Sequence, residues 1–449
     1  MRHHGGRAPR GERGAAGIAA GESAAVASPT RVVNASREAL MKSANPPRIV
    51  VTGMGAVTTI GRDVPTFFAN ALAGAIGISA VRGIDVSRMN SDRGGEVHDF
   101  DIAEHFPGRA DLAQLGRAKQ LALAAARQCV EDAGFPIAEH AFDVGVALGY
   151  TQGESKELEF CCDQIAAGRL DDEGLRAFAG YAPQTVSQGI GHEFGACGPM
   201  ITIGNACSAS NFAIGAAIDL MRRGDAVAMI VGGADAFSRY GYAGFSRLGA
   251  IAPDVPRPFS RDRQGMVPAE GAAMLFIETL DSALARGAVI HAEITGYGES
   301  CDAHHITQPN PAGIAQAARA ALDSAQLAPE AVCYLSVHGT GTQASDKVES
   351  AAFTQLFGER IPPLSSVKSM VGHAMGAASA IECVAAVSSL KAQVLTPTMN
   401  HLGPDEQCPV DCVPLQARPA RVRNVLKTAS AFGGNNAVVL FRQYPAQED

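Results

Sequence analysis

"PMITIGNACSASNFAIGAAIDLMRRGDAVAMIVGG", residues 199–233, is the stretch whose pattern decides the fold. An apolar run through Ile203 reads as a buried strand continuing to Ala206. A helix-like run from Asn211 follows, closed by Gly224, and a second apolar run starts at Ala226. Strand, helix and strand in immediate succession make a crossover between parallel strands, and a parallel sheet needs helices on both faces.

The same alternation extends in both directions. Upstream lie "RIVVTGMGAVTTIG" from Arg48, a helix at "QLALAAARQCVEDAG" and a strand at "VGVALGY". Downstream, "IHAEITGYGESCDAHH" repeats the opening pattern, an apolar run ending in a Gly-x-Gly turn. A helix at "IAQAARAALDSA", strands at "VCYLSVHG" and "PPLSSVK", a helix at "GAASAIECVAAVSSLKAQ" and a strand at "AVVLFRQ" complete this second series. Two similarly ordered halves imply an internal duplication. The expected organisation is a tail over residues 1–47, a first half over 48–288 and a second over 289–449.

Composition narrows the function classes. The chain has 449 residues, 47% hydrophobic and 18% charged, which suits a tightly packed α/β protein large enough for two cores. A net charge of -8 excludes the basic stripe of a general nucleic-acid binder. Ten scattered cysteines without a CxxC pair argue against zinc ribbons and disulfide scaffolds, and point to a reducing cytoplasm. No uninterrupted apolar run of bilayer-crossing length is evident, nor an apolar signal core at the N-terminus. The tail is rich in Gly, Ala, Arg and Ser without periodicity, so order is expected from Arg48, and Met41 is a candidate natural start.

Chemistry concentrates at strand ends. Gly53 and Gly55 invite a dinucleotide-binding reading, but Thr58 stands where the third glycine belongs. Cys207 sits on the strand-to-helix elbow of the opening stretch, where free N–H groups of a first helical turn favour the reactive thiolate. Taken alone, a cysteine is more often a small buried apolar residue. His338 follows one apolar strand, and His373, between Gly372 and Gly376, follows another. Each alone is a commonplace packed histidine; the three together, all after strands in glycine-rich text, make one coherent site. Metal binding is not expected, because the intervals are irregular and no acidic or cysteine ligand lies beside either histidine. "SAFGGNNA" adds a turn at Phe432 whose N–H groups could complete an oxyanion hole with the amide of Cys207.

In this order, "NACSAS", "GGADAF", "RPFSRDRQGMVPAEGAAMLFIE", "HGTGTQASD", "SSVKSMVGHAMGA" and "FGGNNA" resemble the elongating β-ketoacyl-acyl carrier protein synthases, from about Arg48 to Phe441. The resemblance implies a thiolase-like fold, two βαβαβαββ halves in five αβαβα layers, and a dimer. It implies no cofactor. It makes Cys207 the nucleophile that takes an acyl chain from acyl carrier protein. His338 and His373 become the pair that holds a malonyl thioester and assists its decarboxylation. Lys368 and Glu382 match positions that order the histidines, Thr340 and Thr342 match contacts to the phosphopantetheine arm, and Phe432 matches the gatekeeper. The implied reaction is a decarboxylative condensation giving a β-ketoacyl-acyl carrier protein, in fatty acid or related biosynthesis. The alternative is a ketosynthase subunit of a type II polyketide or polyene pathway, in a homodimer or a heterodimer with a chain-length-factor-like partner. Ser430-Ala431-Phe432 departs from the family's Phe-Gly-Phe, and "GGNN" from its "GGTN". Arg109, Arg117 and Lys119 are the nearest basic residues to the expected carrier-docking region.

Overall fold

The structure, a computed structural model, describes residues 46–445. All but Pro46 and Pro47 of the expected tail, and Met41 with it, lie outside those residues. The first half runs β1 (Ile49–Val57), α1 (Arg117–Ala133), β2 (Val144–Gly149), α2 (Gln184–Phe194), β3 (Met200–Ile203), α3 (Ala209–Arg222), β4 (Ala228–Asp235) and β5 (Gly271–Thr279). The second repeats it as β6 (Ala292–Cys301), α4 (Pro311–Ala325), β7 (Tyr334–Ser336), α5 (Gln343–Phe357), β8 (Leu364–Ser365), α6 (Met375–Ala392), β9 (Asn424–Ser430) and β10 (Asn435–Arg442).

The strands form one sheet in the order β8-β7-β9-β10-β6-β1-β5-β4-β2-β3. Read outward from the β6–β1 seam, each half follows the same path with strand numbers offset by five, so the duplication is topological. The seam is short, pairing Ile49, Val50 and Val51 with Ile294, Glu293 and Ala292. Arg48 and Arg442 both pair with Glu293 there, at 2.6 and 2.8 Å. The start of the first strand, the end of the last one and the opening strand of the second half thus meet at one carboxylate.

Five layers follow from where apolar surface lies. Helices α1 and α2 bury Leu121, Ala125, Val186 and Ile190 against the outer face of the first half. Helix α4 does the same for the second with Ala317, Ala321 and Leu322. Between the halves, α3 and α6 share one core cluster with strands of both. Helix α6 is buried at every residue from Met375 to Leu390, as expected of a helix apolar on all sides. It also passes for a membrane span by length and composition, although Glu382 and Lys391 interrupt its apolar run, and 89% of it is buried in protein, which marks a core helix.

Two expectations are corrected. The strand before Cys207 ends at Ile203 rather than Ala206, and it lies at the sheet edge with Met200 exposed, because among the described residues no strand pairs with its outer side. The sheet is mixed rather than parallel: β2 runs parallel to β3 and β4, but β5 is antiparallel to β4 and β1. The long irregular stretch between β4 and β5 returns the chain without a core helix, which permits the reversal.

The repeated Gly-x-Gly text has a packing role rather than a phosphate-binding one. A Cβ on Gly53 or Gly55 would lie 2.2 or 1.9 Å from the carbonyl oxygens of Cys129 and Ala125 on α1. One on Gly296 or Gly298 would meet those of Ala321 and Ala317 on α4 at 2.1 and 2.2 Å. Alternate strand residues thus admit successive turns of the covering helix in both halves. Gly55→Val and Gly298→Val are each expected to lower stability by about 3 kcal/mol or more, since the obstruction is backbone. Urea unfolding of both variants checks this; a loss below about 1 kcal/mol would contradict the close approach.

Candidate active site

The two central helices hold Cys207 and His373 at their entrances. A short 3-10 turn, Ala206–Ser208, leads into α3 and holds Cys207, with Ala206 in the left-handed region at φ 45°. Helix α6 begins the same way, with Met375 at φ 47° two residues after His373. Strained non-glycine conformations persist only where surrounding structure imposes them. Both mark the strand-to-helix joints that duplication made equivalent.

Cys207, His338 and His373 line one cavity of about 610 Å³, part of it open to solvent. Thr340, Thr342 and Phe432 line it too. The imidazoles stand edge to face, with ring centroids 5.5 Å apart. His338 follows β7, where the carboxylate of Glu349 on α5 accepts from the N–H groups of His338 and Gly339 at 2.9 and 2.8 Å. Thr428 donates its hydroxyl to the same carboxylate at 2.7 Å. His373 is held by its backbone, donating to the carbonyl of Val267 and accepting from Ala269.

Lys368 ties the ring pair to α6. Its ammonium donates to the His338 carbonyl at 2.7 Å, approaches Nδ1 of that ring at 3.5 Å and forms a short ion pair with Glu382. An ammonium facing Nδ1 makes that nitrogen the acceptor and leaves the proton on Nε2. Burial, with Lys368 beside them, holds both imidazoles well below the usual histidine range. Both are therefore neutral at physiological pH, each with one N–H to donate.

For Cys207 the balance differs from the sequence expectation. Burial pushes its thiol up to about 12, and Lys368 opposes this only in part. Desolvation of the charged form outweighs the first-turn dipoles, so the resting group is a thiol beside two neutral bases. The cavity mouth is set by the Phe432 turn, whose ring lies 5.9 Å from that of Phe245. Gly433, at φ 86°, donates to the carbonyl of Ile306 at 2.7 Å. Thr342 also caps α5, accepting from the N–H of Ser345, and its hydroxyl lies 3.1 Å from that of Thr340.

Several neighbours were not singled out in the sequence. Asp235, at the end of β4, accepts from the N–H groups of Gln152 at 2.7 Å and Gly376 at 2.6 Å, locking the first turn of α6 to the loop after β2. "GGADAF" was the available signal, but a lone acidic residue does not disclose its partners. Glu349 and Lys427 carry no local signal at all, because burial of a charge is a tertiary event. Arg109 and Arg117 are committed elsewhere: Arg109 pairs with Asp111 and Glu193, and Arg117 with Glu270 at 2.9 Å.

Family models described as beta-ketoacyl synthase, N-terminal domain, and beta-ketoacyl synthase, C-terminal domain, match residues 47–283 and 291–401. A 3-oxoacyl-[acyl-carrier-protein] synthase 2 of Staphylococcus aureus is 38% identical over 415 residues, covering 89% of this chain and 99% of the relative. Among solved structures, the ishigamide ketosynthase/chain length factor superposes with a TM-score of 0.85 at 40% identity, covering 89% of this chain and all of that one. A ketosynthase bound to a hexaketide, in complex with a type II PKS acyl-carrier protein, gives 0.81 at 30% identity over 89% and 99% of the two chains.

A resting thiol has a kinetic signature. The rate of iodoacetamide alkylation at Cys207 is expected to climb steadily from pH 7 to pH 9, because thiolate is the nucleophile. A rate flat across that range, read by intact mass, would show a preformed thiolate.

Proposed function

The chain belongs to the beta-ketoacyl synthase family, and from that premise we propose that Cys207, His338 and His373 carry out its condensation. The chain is a condensing acyltransferase of the 3-oxoacyl-acyl carrier protein synthase type. The observation that carries the assignment of roles is a buried thiol and two neutral imidazoles lining one cavity.

In the first half-reaction the Cys207 sulfur attacks the carbonyl of an acyl thioester on acyl carrier protein. Its proton passes to a neutral imidazole and then to the departing carrier thiol. The oxyanion faces the N–H groups of Cys207 and Phe432. In the second half-reaction a malonyl thioester enters with its thioester oxygen toward His338 and His373. The bond to its carboxylate breaks, releasing carbon dioxide, and the electron pair passes into an enolate. Two N–H donors stabilise that charge without any electron-sink cofactor. The enolate carbon then attacks the acyl-Cys207 carbonyl, the new C–C bond forms and the cysteine sulfur leaves. Neutral rings are needed for this balance, since the same site must accept the thiol proton and later donate hydrogen bonds.

Lys368 and Glu382 act as positioning residues for His338, Thr340 and Thr342 receive the phosphopantetheine arm, and Phe432 moves aside to admit the chain. The partner is acyl carrier protein. A second subunit is assigned to the edge strand β3, where Met200 is exposed. The halves divide between residues 288 and 289. The cytoplasm is the proposed setting, supported by ten free thiols.

One observation favours a second, narrower reading. Ser430 and Ala431, the departure from the family's Phe-Gly-Phe, line the cavity at the gatekeeper turn. We therefore assign the chain to a type II polyketide or polyene pathway rather than housekeeping elongation. Intact-mass analysis against a panel of acyl-carrier proteins tests both. An adduct lost in Cys207→Ala is expected, with polyketide or polyenoyl donors preferred; an adduct that persists in the variant would overturn the nucleophile, and a preference for saturated donors would overturn the pathway. His338→Ala should lower malonyl decarboxylation about 100-fold or more while leaving the adduct intact.

A further inference from the structure

Behind the histidine pair lies a second buried cation that the condensation above does not use. Lys427, on β9, is fully buried, and its Nζ lies 2.8 Å from Oε2 of Glu382. Lys368 takes the other carboxylate oxygen, Oε1, so one glutamate is bracketed by two ammonium groups. The Lys427 ammonium also donates to the carbonyl of Thr428, whose hydroxyl serves Glu349. The charged and titratable groups facing Lys427 come from every element around it: Glu382 and Cys383 on α6, Lys368 before α6, Glu349 on α5, and the rings of His338 and His373. Tyr334 on β7 lies in reach of Glu382.

We propose that Lys427 is a positioning residue for the condensing reaction, the second cation of a cluster that holds both imidazoles in their neutral, N–H-donating form. This rests on the condensing reading above. Lys368 and Lys427 against Glu382 and Glu349 sum to zero charge, so an imidazolium would be an uncompensated charge in a dry site. Without Lys427 the two carboxylates would outnumber the remaining ammonium, and protonation of a ring would restore neutrality. Stability alone does not call for this arrangement. A buried ion pair is commonly no more stabilising than apolar residues of like volume, and Glu382 would keep Lys368 as partner if Lys427 were apolar. The second ammonium therefore acts on the charge of the site, and on the two rings that must stay uncharged.

The test is the pH dependence of malonyl-acyl carrier protein decarboxylation, together with NMR titration of the two imidazoles in the whole protein. In the Lys427→Met variant the acid limb of kcat/KM should move up by at least about one pH unit. The imidazole resonances should begin to titrate at correspondingly higher pH, while alkylation of Cys207 still goes to completion. Removing a cation makes the protonated ring less unfavourable, which gives the shift its upward sign. Wild-type rings that titrate at or above the ordinary histidine value of about 6.5 would overturn the proposal, and that measurement decides even if the variant fails to fold. So would a folded variant whose titration and pH profile superimpose on the wild type. Absence of decarboxylation in the wild-type protein would count against the condensing reading instead, and the titration, which needs no turnover, would still decide the role of Lys427.

Discussion

Helix α6 has no polar face, so protein must surround it on every side, and this requirement organises the molecule. Its companion is α3, the equivalent helix of the other half, and the two share one core cluster between the halves of the sheet. A helix buried this way cannot shift or tilt without opening voids, because protein interiors are packed to crystalline density. Its entrance is correspondingly rigid. Cys207 sits at the entrance of one central helix and His373 at that of the other, at joints where Ala206 and Met375 are both held at positive φ.

That same burial sets the electrostatics. The side chains behind the histidines are buried, and the charges among them are bound to one another or to backbone: Lys368 and Lys427 on Glu382, and Glu349 on the turn of His338. In such a setting an uncompensated charge is costly, and the rings stay neutral. The cost falls on Cys207 as well, whose thiol is pushed up rather than down. Reactivity at this cysteine is therefore tied to proton transfer at the moment of attack.

Legibility in the sequence tracked locality. The strand–helix–strand alternation, the glycine at the end of α3 and the repeated Gly-x-Gly opening are local patterns, and they led to a helix-covered sheet and its duplication, while the five layers followed from the family resemblance. Cys207, His338 and His373 were visible as residues in glycine-rich text after apolar runs. The antiparallel return of β5 was not visible, since a strand's direction is set by the strand it pairs with. The edge position of β3 was hidden for the same reason. Glu349, Asp235 and Lys427 were missed because nothing in their local text distinguishes a buried charge from a solvated one.

The sequence by itself determined the strand–helix alternation that frames each half, that the chain is built twice over, and which three side chains could do the chemistry, because periodicity, turn residues and nucleophilic types are written locally. Only the tertiary structure decided that the two central helices bring Cys207 and His373 to one cavity, that the thiol rests protonated, and that two lysines share one glutamate. Those outcomes depend on the packing of side chains from separate elements and on their burial, neither of which exists until the two halves close on each other.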